Sequence, residues 1–267
     1  MSAESAAYEA YARHYDEGQL HFSVLMYGYL AEVLARHRPP PERTLIDLAC
    51  GTGTLALMLA DDGWDVLGID GSRAMLREAQ RKARRGAGLE RSIRFRRADM
   101  RDWSASAPVS LVTCCYDSLN YLLEEADLLA AFRAVRAALA PGGLWIFDIN
   151  TPFFLTNVWD PVEVEERDGY AHVMQTGFEP ARCLSTLTLT GFARRADGLY
   201  ERFDERHAER GYGRETLARL LAEAGFAVEA VYECFVLTEP TPASHRWLWV
   251  CRNPESGAAT LRRPTEE

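Results

Sequence analysis

Between residues 44 and 150 the chain alternates between short apolar runs and longer stretches of helical periodicity, and this alternation constrains the fold more than any other feature. Apolar runs at 44–49, 66–70, 93–97, 109–115 and 144–150 read as strands, and the segments from 54 to about 60, 73–85 and 124–139 read as helices. Strands separated by helices of this length need crossover connections, which build a parallel sheet covered on both faces. Pro141-Gly142-Gly143 is expected to be a turn ahead of the fifth strand. Before the sheet, 5–16 and 20–37 predict two helices, separated near Gly18 and ended by Pro39, Pro40 and Pro41.

The alternation breaks after Asn150. From 151 to 210 apolar and polar residues alternate with period two, as Leu187 and Leu189 do against Thr186 and Thr188. That pattern predicts an antiparallel insertion of two to four strands. A helical pattern resumes at 214–224 and stops at Gly225, and 226–233 and 246–251 predict two closing strands, antiparallel to each other. The expected organisation is a helical cap over 1–40, a core over 41–150 and 211–252, the insertion over 151–210, and a polar, frayed tail over 253–267. The fold class is α/β: a doubly wound, seven-stranded, mostly parallel sheet with an antiparallel β insertion. Phe153, Phe154, Trp159, Tyr170 and Phe178 suit the insertion to roofing a site for a moderately apolar molecule. Its strands also offer a homodimer contact, so monomer and homodimer both stay open.

Thirty Lys and Arg against 39 Asp and Glu leave a formal charge of −9. That balance argues against the broad basic surface used to hold nucleic acid or anionic lipid. The polar, acidic start of the chain lacks the basic and apolar regions of a signal peptide, and no stretch is apolar enough to predict a membrane span. The six cysteines, at 50, 114, 115, 183, 234 and 251, make no CxxC pair. Cys114 and Cys115 point to opposite faces of a strand and are not expected to form a disulfide. Buried reduced thiols suit a cytoplasmic protein. The histidines form no HxxxH or HExxH pair, so no metal site is expected.

Chemistry concentrates at Leu45-Ile-Asp-Leu-Ala-Cys-Gly-Thr-Gly-Thr54, where a buried strand runs into a Gly-rich turn that opens a helix. Gly51 and Gly53 let the main chain approach a ligand, and the helix start adds N–H donors and a positive dipole end. Such a turn suits the carboxylate, ribose or phosphate of a cofactor. Asp70, ending the next strand, can accept from two ribose hydroxyls. Gly51 to Ala56 also satisfies GxGxxA, so by these residues alone a nicotinamide-dependent oxidoreductase fits as well.

The longer string Asp47-Leu-Ala-Cys-Gly-Thr-Gly53 resembles the first motif of the class I S-adenosylmethionine-dependent methyltransferases. Val66-Leu-Gly-Ile-Asp70-Gly-Ser-Arg-Ala-Met-Leu76 resembles the second, Arg96-Arg-Ala-Asp99-Met100 the third, Val112 to Tyr121 the fourth, and Leu139 to Asp148 the strand-five motif. The likeness covers about 5–150 and resumes at 207–251. It implies S-adenosylmethionine as cofactor and a small-molecule acceptor, in the subgroup with a β insertion after strand five. It further implies that Ala49 (where the family usually has Gly), Gly51 and Gly53 hold the methionine part. Asp70 and Gly71 would meet the ribose, Asp99 and Met100 the adenine, and Cys115 and Tyr116 the sulfonium end. Tyr8 and Tyr15 resemble the aromatic N-terminal helix that closes over the cofactor. Cys115-Tyr116-Asp117-Ser118 stands where base-N-methylating members carry Asn/Asp-Pro-Pro-Tyr/Phe. The expected reaction is in-line methyl transfer to nitrogen or oxygen, with His207, Tyr116 or Asp148 as candidate base. Asn120, Asn150 and Arg210 are candidate acceptor contacts. A non-catalytic cofactor-binding protein is the other open reading.

Overall fold

Seven strands form one sheet in the computed structural model, which describes residues 8–85 and 92–254. In chain order they are β1 (Thr44–Leu48), β2 (Asp65–Asp70), β3 (Ile93–Arg97), β4 (Val109–Cys114), β5 (Leu139–Asn150), β10 (Ala227–Glu233) and β11 (Arg246–Arg252). Their spatial order is β10-β11-β5-β4-β1-β2-β3. β3 through β5 run parallel, and β11 joins antiparallel to both β5 and β10. The helices are α1 (Tyr15–His37), α2 (Thr54–Asp61), α3 (Arg73–Arg85), α4 (Glu125–Ala138), α5 (Pro152–Asn157) and α6 (Arg214–Glu223).

Strand periodicity distributes the core over both faces. Trp145, Phe147 and Ile149 of β5 point to one side and pack with Phe132 of α4 and Leu220 of α6. Leu144 and Ile146 point to the other and pack with Met26 and Leu30 of α1 and Leu59 of α2. Cys114 and Cys115 fall on opposite faces by the same rule. Burial on both sides explains why these strands read as continuous apolar runs.

The insertion is a separate four-stranded antiparallel sheet, β6-β7-β8-β9, formed by β6 (Val162–Arg167), β7 (Tyr170–Glu179), β8 (Leu184–Arg194) and β9 (Tyr200–Arg210). The short α5 opens it, although the period-two reading assigned that stretch no helix. Thr151 caps α5 by accepting from the Phe154 N–H at 3.0 Å, and Pro152 sits in its first turn.

Three expectations need correction. No helix spans the described part of 5–16; a single 3-10 turn (Tyr11–Arg13) precedes α1. The Tyr8, Ala10 and Tyr11 N–H groups donate instead to the Glu205 carboxylate, which replaces the partners a helix would supply. Gly18 does not interrupt α1. A Cβ there would come within 3.1 Å of the Arg167 guanidinium, so the glycine permits close approach of the insertion. Pro141-Gly142-Gly143 lies inside β5, because Gly142 and the Gly143 carbonyl are bonded to the Asn253 backbone beyond β11. Residues 1–7 of the expected first helix and most of the expected tail lie outside the described residues.

Candidate active site

The carboxyl ends of β1 and β4 mark the point where the sheet order reverses, the usual position of a ligand crevice in such sheets. A hollow of about 320 Å³ opens there, lined by Ala49, Gly51, Asp70, Gly71, Met100 and Cys115 among others. Tyr8, Tyr15, Tyr116 and Tyr121 line it and also line a second chamber of about 420 Å³, whose far wall comes from the insertion. A third hollow shares Ala49, Asp70, Gly71, Met100 and Tyr121 with the first and adds Asp99.

Main-chain geometry shapes the first hollow. Ala49 and Gly51 both have positive φ, 57° and 54°, so the turn after β1 holds two residues in the left-handed region. A Cβ on Gly51 would meet nothing within 4 Å, and the turn therefore presents bare main chain to open space. Gly53 does not fit its expected role. It does not line the hollow, and its missing Cβ makes room for Ala79 and Phe95, which would stand 2.9 Å away. Asp70 accepts from the Gly51 N–H at 2.8 Å and the Ser72 N–H at 2.7 Å, so it clasps the turn as well as facing the hollow. Burial pushes its carboxyl up while those two donors oppose the shift. Asp47 accepts from the Thr113 hydroxyl at 2.8 Å, and burial pushes it up to about 7. Lys82 of α3 donates to Asp16 at 2.5 Å, Thr52 at 3.0 Å and Thr54 at 2.6 Å, fastening the start of α1 over the turn.

Asp99 sits in the third hollow, with both carboxylate oxygens already accepting from Arg101, at 2.9 Å from Nε and 2.6 Å from Nη2. That guanidinium holds Asp99 below the usual carboxylate range. Cys115 is a neutral wall, because burial pushes its thiol up.

At the tyrosine collar, the Tyr8 and Tyr121 hydroxyls are 2.6 Å apart and Tyr8 meets Tyr15 edge to face at 5.7 Å. Tyr116 belongs to the collar, but its hydroxyl is not available as a base. It donates to the Gln19 carbonyl at 2.6 Å and lies 3.0 Å from the Ser23 hydroxyl, tying α1 to the loop after β4. Asp148 is likewise structural: fully buried, it accepts from the Tyr116 N–H at 2.7 Å and pairs with Arg246. His207 lines the chamber with both ring nitrogens engaged, Nδ1 with the Tyr121 hydroxyl and Nε2 with Glu205, each at 3.2 Å. It therefore meets the collar at Tyr121 and, edge to face at 4.8 Å, at the Tyr8 ring.

Of the expected acceptor contacts, Asn150 alone lines the chamber. Asn120 is buried behind the wall, donating to the Asn150 and Arg210 carbonyls at 3.1 and 2.9 Å. Arg210 turns away to the Leu123 carbonyl and the face of Tyr212. Both positions are taken by main-chain carbonyls that would otherwise be unsatisfied.

Sequence reasoning missed Tyr121, Glu205, Glu209 and His172. A signal existed in Glu205-Arg-His207-Ala-Glu209, since alternate residues of a strand share a face and all three are buried. His172 is 1% exposed; its Nδ1 meets the Tyr170 hydroxyl at 3.1 Å and its Nε2, in the chamber wall, has no partner among the described residues. Among the described residues no cluster of metal-ligating side chains occurs, and no helix is long and apolar enough to cross a membrane.

A family model described as a methyltransferase domain matches residues 45–143. YqeM of Bacillus subtilis (strain 168), a predicted methyltransferase, is 31% identical over 90% of this chain and 94% of its own. A dTDP-3-amino-3,6-dideoxy-alpha-D-glucopyranose N,N-dimethyltransferase of Streptomyces fradiae is 28% identical over 75% of this chain and 76% of its own. The crystal structure of an S-adenosylmethionine-dependent methyltransferase from Clostridium acetobutylicum ATCC 824 superposes with a TM-score of 0.81 at 27% identity, covering 93% of this chain and 100% of that one.

Proposed function

The chain belongs to the class I S-adenosylmethionine-dependent methyltransferases, and from that premise we propose that it methylates a nitrogen or oxygen of a small molecule held in the insertion-walled chamber. One observation carries the reading: four tyrosines are the common wall of two hollows, so a donor in one faces an acceptor in the other. The bare turn at Ala49 and Gly51 suits the methionine part of the donor, Asp70 and Gly71 the ribose, and the hollow with Met100 and Asp99 the adenine. When bound, the donor supplies a methyl group on a sulfonium sulfur, activated toward in-line displacement.

The rest of the work falls to alignment and exclusion of water. Tyr8, Tyr15, Tyr116 and Tyr121 present ring surfaces to the junction, where a sulfonium cation is favoured. Tyr15 and Tyr8 are held there by the α1 latch on Lys82 and by the Glu205 grip on the N-terminal segment. His207 is a positioning residue that orients Tyr121. The Streptomyces fradiae relative, named for an amino sugar, supports a small-molecule acceptor over a polymer.

Calorimetric titration of the full chain with S-adenosylmethionine, S-adenosylhomocysteine and NAD tests the donor. Saturable binding of the first two and none of NAD is expected, and binding of NAD alone would refute the assignment. Methyl transfer from labelled S-adenosylmethionine to an acceptor panel then separates an enzyme from a non-catalytic binder. Tyr121→Phe should lower turnover with unchanged S-adenosylhomocysteine affinity.

A further inference from the structure

Asp117, Glu163, Glu165 and Glu209 line the acceptor chamber against one permanent cation, Arg246. That cation is already committed, to Asp117 at 2.7 Å and to Asp148. Glu165 is answered by Arg167 at 2.5 Å. Neither Glu163 nor Glu209 has an ion-pair partner within salt-bridge distance among the described residues. Glu209 is only 4% exposed, and it accepts a hydrogen bond from the Asn150 amide at 2.9 Å. A buried carboxylate with so little compensation is costly, the more so with Asp117 facing it. Burial and the Asp117 charge push the Glu209 carboxyl well up, against the opposing pull of Arg246 and the Asn150 amide. A cation brought into the chamber would reverse that balance. The two chamber imidazoles do not supply it: burial lowers the pKa of His172, and His207 is already paired with Glu205.

Building on the methyl-transfer reading, we infer that the chamber selects an aliphatic amine, arriving as its ammonium, and that Glu209 anchors the nitrogen and takes its proton. On docking, the Glu209 proton leaves to solvent and the ammonium N–H groups donate to Glu209 and Asp117. The ammonium then gives one proton to Glu209, which frees the nitrogen lone pair. The N–C bond forms as the methyl C–S bond breaks, the bonding electron pair stays on sulfur, and the positive charge passes to the methylated nitrogen. An alcohol would leave the carboxyl pair without a counter-charge, and a carboxylate would add a like charge.

The test uses the full chain and three probes of matched shape: cyclohexylamine, cyclohexanol and cyclohexanecarboxylate. Each is titrated calorimetrically with and without saturating S-adenosylhomocysteine. Cyclohexylamine should bind at least about tenfold tighter than cyclohexanol, the scale of a charge-assisted contact, with the carboxylate weakest. Glu209→Gln should erase that preference while S-adenosylhomocysteine binding persists as the check on folding. Equal binding of amine and alcohol, a preference for the carboxylate, or no amine binding at millimolar concentration would overturn the inference. So would an unchanged preference in Glu209→Gln. If S-adenosylhomocysteine itself fails to bind, the methyl-transfer reading fails, and the probe preference in its absence still decides the chamber's selectivity.

Discussion

The donor hollow and the acceptor chamber meet at the same four tyrosines, but Asp70 in the first and Glu209 in the second are partnered in opposite ways. On the donor side Asp70 is satisfied by two main-chain N–H groups, those of Gly51 and Ser72. On the acceptor side, among the described residues, Glu209 has an amide and no ion-pair partner, and His172 carries an unpartnered nitrogen. The difference teaches where specificity is written. A hollow whose polar groups are already bonded is preorganised for a ligand that the backbone recognises. A chamber with unmatched polar groups records the chemistry of the molecule that completes it.

The largest expected effect breaks the join between the two regions. Glu205→Ala removes the acceptor of three N–H groups and the partner of His207, and should cost about 3–5 kcal/mol of stability by denaturant titration. His207 and those donors hold Glu205 below the usual carboxylate range despite burial. Its stabilisation is therefore present above the ordinary glutamate value and lost as pH falls through the folded one. A neutral outcome for Glu205→Ala would mean that the N-terminal segment is not anchored to the insertion.

Asp70→Ala should weaken S-adenosylmethionine binding by about 1–3 kcal/mol and leave cyclohexylamine affinity unchanged. Loss of both would show that the two regions are not independent. Asp47 gives a smaller, pH-dependent effect. Its folded value of about 7 lies above the ordinary one, so the folded state holds a proton that the unfolded chain has lost. Its contribution to stability is thus full below about pH 4 and falls as pH rises toward about 7. Asp47→Asn should flatten that slope in melting temperature. In the wild-type protein, S-adenosylmethionine should bind more tightly at about pH 8 than at about pH 6, as Asp47 becomes anionic in the hollow proposed for that cationic donor.

The smallest effect concerns the turn. Ala49 holds φ at 57°, where a side chain is strained, so Ala49→Gly should stabilise the protein by about 1 kcal/mol, read as a higher melting temperature. A lower melting temperature would mean that the lost chain entropy outweighs the relieved strain.

Much of the donor region was legible because it is local. Strand, turn and helix at 45–60 follow one another directly, and Asp70 belongs to the adjacent strand. The mostly parallel sheet was legible because double-sided burial leaves continuous apolar runs. The acceptor region resisted for a different reason. Asn120 and Arg210 looked like free polar side chains, yet both are consumed by carbonyls of distant segments. Gly53 looked like a ligand glycine and proved to be a packing glycine, because Ala79 and Phe95 converge on it from α3 and β3. Tyr116 looked like a base until α1 supplied the Gln19 carbonyl that its hydroxyl meets.

By itself, then, the sequence determined the sheet, its insertion and the cofactor turn, since each depends on periodicity or on neighbours a few residues apart. The tertiary structure alone decided which polar groups line the second chamber. Tyr8, Tyr121, His207 and Glu209 come from three separated stretches of chain, and whether each is free or bonded depends on partners that only packing brings within hydrogen-bond reach.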